Sequence, residues 1–245
     1  MTVSVMQRYE MKYIMDPDQT DHLVRNLEGR MCPDEYGLSS IASLYYDTPD
    51  SRLIRESLEK PAFKEKLRLR SYGLADAGSP VYLEIKRKYD GIVYKRRVCT
   101  TIPGAARFMA GEDVLGEGQI ARELEYFRDY YRELVPKCLI IYDREAFYEP
   151  GGDLRLTIDR APRYRTEELS LSRSLKGTPL LEEGKSILEI KVQGAMPLWL
   201  TSILCEGRIY QSSFSKYGEA YKKELAGQKK QSAACTYAAP LCGVA

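Results

Sequence analysis

The stretch FKEKLRLRSY at residues 63–72, followed by VYLEIKRK at 81–88 and IVYKRRVCT at 92–100, decides the fold class of this chain. Successive side chains of a strand point to opposite faces of a sheet. In the first stretch Phe63, Glu65, Leu67 and Leu69 alternate with Lys64, Lys66, Arg68 and Arg70. In the second, Val81, Leu83 and Ile85 alternate with Tyr82, Glu84, Lys86 and Lys88, while Lys95 and Arg97 share one face of the third. Asp90-Gly91 between the last two is a hairpin turn signal. Further along, Tyr142 pairs in face with Arg144. Arg155, Thr157 and Asp159 oppose Leu154, Leu156 and Ile158, and Glu189 and Lys191 oppose Leu188, Ile190 and Val192. Strands outnumber helices and follow one another in hairpin order. That pattern predicts an α+β fold whose antiparallel sheet curls into a barrel with helices on its flanks.

Outward from these strands, the pattern predicts a strand from Arg8 to Met15 and another over Ile41–Asp47. Asp16-Pro17 and Thr48-Pro49 each begin a helix, with a capping side chain followed by proline, ending near Glu28 and Leu58. A short helix starts at Pro103 and a longer amphipathic one covers Glu117–Leu134. Strands follow over Cys138–Tyr148, Leu154–Asp159 and Ser186–Val192, and helices over Pro197–Glu206 and Ser215–Ala226. No Pro/Gly/Ser-rich linker divides residues 1–226, so one domain is expected there, with residues 227–245 as a disordered tail.

Composition narrows the function classes. Among 245 residues, 37 basic against 35 acidic side chains leave a net charge of +2, which removes any bulk-charge argument for nucleic acid. No run of 18 apolar residues and no N-terminal apolar segment point to a membrane span or a secretory signal. Six scattered cysteines without a Cys-x-x-Cys pair fit free thiols in a reducing cytoplasm. His22, the sole histidine, lies in a polar helical stretch and reads as a surface residue. One histidine argues against Ser-His-Asp or Cys-His catalysis and against a zinc site.

The basic faces are the anomaly. A solvated sheet face ordinarily mixes both signs, yet Lys66, Arg68 and Arg70 share theirs with no acid. If such faces only keep a surface soluble, nothing follows from them. If they point into one barrel, two unit charges ~8 Å apart repel by roughly 2 kcal/mol at an effective dielectric of ~20. A few such pairs rival the ~5–15 kcal/mol stability of a whole domain. The acids Glu10, Glu84, Asp159 and Glu189 offset part of this. The natural remaining partner is a dense polyanion, for which arginine forks and lysine point charges suit phosphate oxygens. No P-loop, kinase glycine loop or dinucleotide fingerprint is present.

An ordered series of short motifs goes further. It runs Tyr9-Glu10-Met11-Lys12-Tyr13, Ser43-Leu44-Tyr45-Tyr46-Asp47-Thr48, Lys66-Leu67-Arg68-Leu69-Arg70, Leu83-Glu84-Ile85-Lys86 and Tyr94-Lys95-Arg96-Arg97. It continues with Tyr142-Asp143-Arg144-Glu145-Ala146-Phe147, Arg155-Leu156-Thr157-Ile158-Asp159, Leu188-Glu189-Ile190-Lys191 and Phe214-Ser215-Lys216-Tyr217. Over residues 8–225 the series resembles the catalytic domain of the vacuolar transporter chaperone (VTC) polyphosphate polymerases, within the triphosphate tunnel metalloenzyme or CYTH-like superfamily.

The resemblance implies a closed antiparallel barrel of about eight strands, wide enough for one slim ligand. It implies transfer of the ATP γ-phosphoryl group to the end of a polyphosphate chain, with release of ADP. Arg68, Arg70, Lys86, Arg144 and Arg155 would be catalytic, and Lys12, Lys95, Lys191 and Lys216 would bind phosphate, joined from the basic faces by Lys66 and Arg97. Glu189 would hold Mn²⁺ or Mg²⁺, with Glu10 and Glu84 either as further ligands or as counter-ions of neighbouring lysines. Arg8 stands where the superfamily's Glu-x-Glu-x-Lys motif begins with glutamate, which removes a carboxylate useful for activating water. ATP and inorganic polyphosphate are the implied partners, and a separate membrane partner stays open. Hydrolysis of a triphosphate on the same scaffold and non-catalytic polyphosphate binding are the alternatives; nucleic acid is not expected.

Overall fold

In the computed structural model, which describes residues 9–90 and 92–225, the strands form one antiparallel sheet. Its members are β1 (Tyr9–Met15), β2 (Cys32–Pro33), β3 (Ser39–Asp47), β4 (Phe63–Tyr72), β5 (Val81–Tyr89) and β6 (Ile92–Thr100). They continue with β7 (Val135–Tyr148), β8 (Arg155–Arg165), β9 (Thr178–Pro179), β10 (Ser186–Val192) and β11 (Gln211–Ser212). The helices are α1 (Pro17–Leu27), α2 (Arg52–Leu58), α3 (Ile102–Met109), α4 (Gln119–Tyr131) and α5 (Leu198–Glu206), with α6 over residues 216–225. Arg8, Gly91 and the expected tail lie outside the described residues.

The α+β class and the hairpin order hold; the closed barrel of eight strands does not. The strand order is β11-β1-β10-β8-β7-β3-β4-β5-β6, with β2 and β9 added to β7 and β8, and the sheet of 11 strands stays open between β11 and β6. Neither end is a good pairing edge. The two residues of β11 offer too few backbone donors and acceptors for a ladder. The other edge carries Lys95, Arg96 and Arg97 in succession, charges that discourage strand pairing. The sheet is nonetheless deeply curled, because strand twist accumulates across it and register shifts at Tyr45/Tyr46 and Ile141/Asp143 bend β3 and β7. Lys86 on β5 thereby reaches Glu10 on β1 at 3.2 Å.

The convex face is apolar and covered by helices. Phe108, Leu124 and Phe127 of α3 and α4 pack on Leu67, Leu69, Leu83, Ile85, Leu139 and Ile141. Leu23 and Leu27 of α1 and Leu200 and Leu204 of α5 pack on Tyr13, Leu156, Ile158, Leu188 and Ile190. Each fully buried leucine or phenylalanine contributes about 1.5–3 kcal/mol. A third cluster closes part of the concave side, where Phe214, Tyr217 and Ala220 meet Ile54, Tyr45, Ile140, Tyr142 and Ile187.

Local signals fare unevenly. Asp16 caps α1 in a full capping box with Gln19. Thr48-Pro49 does not begin a helix directly: α2 starts at Arg52 after Ser51 in the left-handed region at φ 60°. Its first amide groups are satisfied from upstream, Arg52 N donating to Thr48 Oγ1, and Leu53 N and Ile54 N to the Asp47 carboxylate. α4 is shorter than periodicity suggests, while β7 and β8 are longer, because pairing with β3 and with each other extends the ladders. His22 is half-buried rather than a free surface residue, its Nε2 lying 3.1 Å from the Ile203 carbonyl oxygen of α5.

Candidate active site

Alternation and register place Lys12, Lys66, Arg68, Arg70, Lys86, Lys95, Arg97, Arg144, Arg155 and Lys191 on the concave face, in two facing walls. One wall is built by β3 to β6. Its cross-strand rows are Ser43, Arg70 and Tyr82; then Tyr45, Arg68, Glu84 and Arg97; then Lys66, Lys86 and Lys95. The other wall is built by β11, β1, β10, β8 and β7. Its rows are Glu10, Lys191 and Arg155; then Ser212, Lys12, Glu189 and Thr157; then Ile14, Ile187, Asp159 and Arg144. Lys216 joins from the first turn of α6.

Each wall is organised around buried carboxylates. Glu84 is 0% exposed and holds Arg68 at 2.8 Å, Arg97 at 2.7 Å and Lys95 at 2.8 Å, with Arg70 at 4.0 Å. Burial alone would raise its pKa, but Arg68 and Arg70, with Lys95, hold it far below the ordinary carboxylate range. On the second wall Arg144 and Lys216 bind Asp159, which is also 0% exposed. Glu189 gathers Lys12 at 3.2 Å, Arg144 at 3.5 Å, Lys191 at 3.7 Å and Lys216 at 3.9 Å. Burial opposes the charged form of Glu189, and Lys12, Lys216 and Arg144 override it and push the pKa well down. Glu10 spans the walls between Lys86 and Lys12.

Lys66 and Arg155 are left without a carboxylate contact among the described residues, and Arg70 reaches Glu84 only at 4.0 Å. Lys66 donates only to Ser215 Oγ at 3.0 Å, the hydroxyl that also accepts from Gly218 N at the start of α6. Burial, partly countered by Tyr45 and reinforced by Lys12, Lys64 and Lys86, lowers its ammonium to about 8. Arg70 donates to Ser43 Oγ and Tyr142 Oη. Arg155 stands exposed at the rim beside the Tyr148 ring and donates to the Leu154 carbonyl oxygen. Positive charge therefore exceeds negative on this face.

Some site residues escape the basic pattern. Tyr45 accepts from Arg68 Nη1 at 3.1 Å and stacks on Tyr217. Burial would raise the Tyr45 phenol, yet Arg68, Lys66 and Arg70 bring it down to about 8. Tyr142 lies under both Arg144 and Lys216. Tyr217 in turn donates to the buried Asp47 at 2.9 Å, tying α6 to the cap of α2. Tyr45 shares the alternate face of Ile41, Ser43 and Asp47, a signal present in the sequence but masked by the apolar character of β3.

The comparisons with known proteins agree with this architecture. No curated protein matches the chain in sequence. A crystal structure of a candidate adenylate cyclase from Bacillus halodurans superposes with a TM-score of 0.52 at 14% identity, covering 86% of this chain and 96% of that one. A candidate adenylate cyclase from Vibrio parahaemolyticus gives a TM-score of 0.50 at 12% identity, covering 88% of this chain and 98% of that one. At such identity the likeness is one of fold. The VTC domain family matches residues 7–225, a span that contains both walls and α6, and the chain belongs to that family.

Proposed function

We propose that the chain is an ATP-dependent polyphosphate polymerase that moves the γ-phosphoryl group of ATP onto the end of a polyphosphate chain and releases ADP. The observation that carries this reading is the surplus of cations on two facing walls, where Lys66 and Arg155 have no carboxylate contact among the described residues and Arg70 reaches Glu84 only at 4.0 Å. A linear anion with a charge on every repeat offsets that surplus along its whole length. Lys12, Lys66, Lys95, Arg97, Lys191 and Lys216 would bind the chain, and Arg68, Arg70, Lys86, Arg144 and Arg155 would align the reacting groups. The acceptor phosphate is itself the nucleophile, so no side chain has to become one. Alignment and charge stabilisation then supply the rate enhancement, as phosphoryl transfer allows.

A divalent cation, Mn²⁺ or Mg²⁺, fits this face in one place. Among the described residues no group of three or more His, Cys, Asp or Glu side chains gathers to cage a metal. Mg²⁺ needs only one or two carboxylates when substrate phosphates supply the rest. Glu189 offers one beside the buried hydroxyl of Thr157, and Glu10 is its neighbour across Lys12. Both carboxylates are held by cations, but Glu84 is 0% exposed and Glu189 8%, so we assign Glu84 as a counter-ion of Arg68, Lys95 and Arg97. When bound, such a cation neutralises charge on phosphoryl oxygens.

No helix among the described residues is long and apolar enough to cross a membrane. We place the reaction in the cytoplasm, in keeping with the free thiols of Cys32, Cys99, Cys138 and Cys205. A separate membrane partner is compatible with this placement.

The test is incubation of the protein with ATP and Mn²⁺, with products resolved by gel and phosphorus NMR. ADP and long polyphosphate are expected, with a shorter lag when a short polyphosphate primer is added. Stoichiometric orthophosphate without polymer would establish a triphosphatase instead. Tight polyphosphate binding without ATP turnover would establish a binding module.

Binding should also depend on pH in a defined direction. As pH rises through about 8, Lys66 loses its proton, and so does the Tyr45 phenol, so the face loses positive charge and tripolyphosphate affinity falls. Stability responds oppositely. Between about 8 and the ordinary lysine range the unfolded chain keeps the Lys66 proton that the folded protein has released, so rising pH favours the fold in that window. Calorimetric titration from pH 7 to 9.5 measures the first trend, and Lys66→Gln should reduce its slope, leaving the part due to Tyr45. An affinity that rises with pH would contradict the placement of Lys66 in the site.

A further inference from the structure

Two buried hydroxyls have no hydrogen-bond partner among the described residues, and both belong to one row of the concave face. They are Thr157 Oγ1 and Ser212 Oγ. The pairing register sets Ser212 on β11 opposite Lys12, Lys12 opposite Glu189, and Glu189 opposite Thr157. Four side chains from four neighbouring strands therefore stand side by side, the hydroxyls at the two ends and the Lys12–Glu189 pair, 3.2 Å apart, in the middle. Thr157 is 9% exposed and lies on the same strand face as Arg155 and Asp159.

A buried hydroxyl left unpaired costs free energy, and a protein that needed only packing here would do better with valine and alanine. Glu189, the nearest acceptor across the ladder, is instead engaged by Lys12, Arg144, Lys191 and Lys216. Both O–H groups are thus donors without an acceptor, on a face otherwise crowded with cations. A phosphoryl oxygen supplies what they lack: an anionic acceptor able to take several donors at once.

We propose that Thr157 and Ser212 donate their hydroxyl protons to phosphoryl oxygens, making this row a pair of neutral donors that hold the chain on either side of the Lys12–Glu189 pair. The proposal rests on the reading of the concave face as a polyphosphate site. Within that reading it assigns a different task to the hydroxyls than to the cations. Lysine and arginine attract the anion at a distance and weaken with salt. A hydroxyl acts only at contact, so it sets the register of a chain whose repeats are otherwise alike.

The experiment is calorimetric titration of tripolyphosphate, without ATP or metal, into wild-type protein, Thr157→Val, Ser212→Ala and Lys191→Ala at low and high salt, together with melting of each ligand-free protein. Thr157→Val should weaken binding roughly 10- to 100-fold, as for loss of a hydrogen bond to a charged group, by a similar factor at both salt concentrations. It should melt at the same temperature as wild type or higher, because an unpaired buried hydroxyl becomes a methyl group. Lys191→Ala should show a deficit that shrinks as salt rises. Ser212→Ala carries the same expectation as Thr157→Val and decides the matter if the valine variant does not fold. Wild-type affinity in both hydroxyl variants would overturn the subsite while leaving the polyphosphate reading standing. Failure of wild-type protein to bind tripolyphosphate would overturn that reading itself. A lower melting temperature with unchanged affinity would make the hydroxyls structural.

Discussion

Lys66→Met is expected to lower polyphosphate synthesis roughly 100- to 1,000-fold, the range seen when one donor to a developing charge is removed. Its melting temperature should stay the same or rise. The two halves of this prediction come from one geometry. Lys66 stands in a cross-strand row with Lys86 and Lys95, three cations abreast. Glu10 answers Lys86 and Glu84 answers Lys95, whereas Lys66 has only the Ser215 hydroxyl. Without a ligand it is a cost, since burial and its cationic neighbours oppose its charged form. With a phosphate chain between the walls it becomes a directly bonded cation. Methionine keeps the length of the stem and removes the charge, so repulsion falls while binding is lost. Steady-state turnover and thermal melting on the same preparation check both halves. Turnover near wild type, or turnover lost because the protein melts below the assay temperature, would contradict the assignment.

Glu84→Gln should do the reverse and act first on the fold. Removing one partner of a buried ionic cluster costs about 3–5 kcal/mol, because the remaining charges stay buried without compensation. Here Arg68, Lys95 and Arg97 all lose the carboxylate they share. In a chain of this size such a loss lowers the melting temperature by roughly 6–20 °C. The pH dependence has a definite sign. The folded-state pKa of Glu84 is depressed, so its stabilisation is present above the ordinary carboxylate range and is lost as pH falls below that range. Melting curves from pH 7 down to 3 should show a steeper acid loss in wild type than in Glu84→Gln. Equal melting temperatures at neutral pH would mean that the cations find water or one another and that Glu84 is not their anchor. Arg68→Ala belongs between the two cases. It removes a phosphate ligand and also a partner of Glu84, so both activity and stability should drop.

How much of this was legible in the chain follows from the range of each signal. Strand alternation is local, with a period of two, so Lys66, Arg68 and Arg70 opposite Leu67 and Leu69 declared a basic face and an apolar face without any structure. The same held for Arg155, Thr157 and Asp159, and for Glu189 and Lys191. Helix α1 was legible because its cap, Asp16, is adjacent to it; the start of α2 was not, because its capping carboxylate, Asp47, comes from the end of a strand six residues before Leu53. The pairing of Glu84 with four cations could not be read from the stretch 63–72, since that stretch contains no acid on its basic face.

What the amino-acid order determined alone was which side chains share a face and that the face of Lys66, Arg68 and Arg70 carries no acid. Only the tertiary structure decided which of those charges meet. Glu10 and Lys86 touch although they are 76 residues apart, and Lys66 reaches Ser215 across 149. The sheet stays open yet bends far enough to bring its two walls together. That bend sums small twists over nine strands in lateral succession, with two register shifts added. The level of Ser212 with Thr157 likewise depends on three successive pairing registers. Each is set by long-range packing and hydrogen bonding of whole strands, so no window of sequence holds the information by itself.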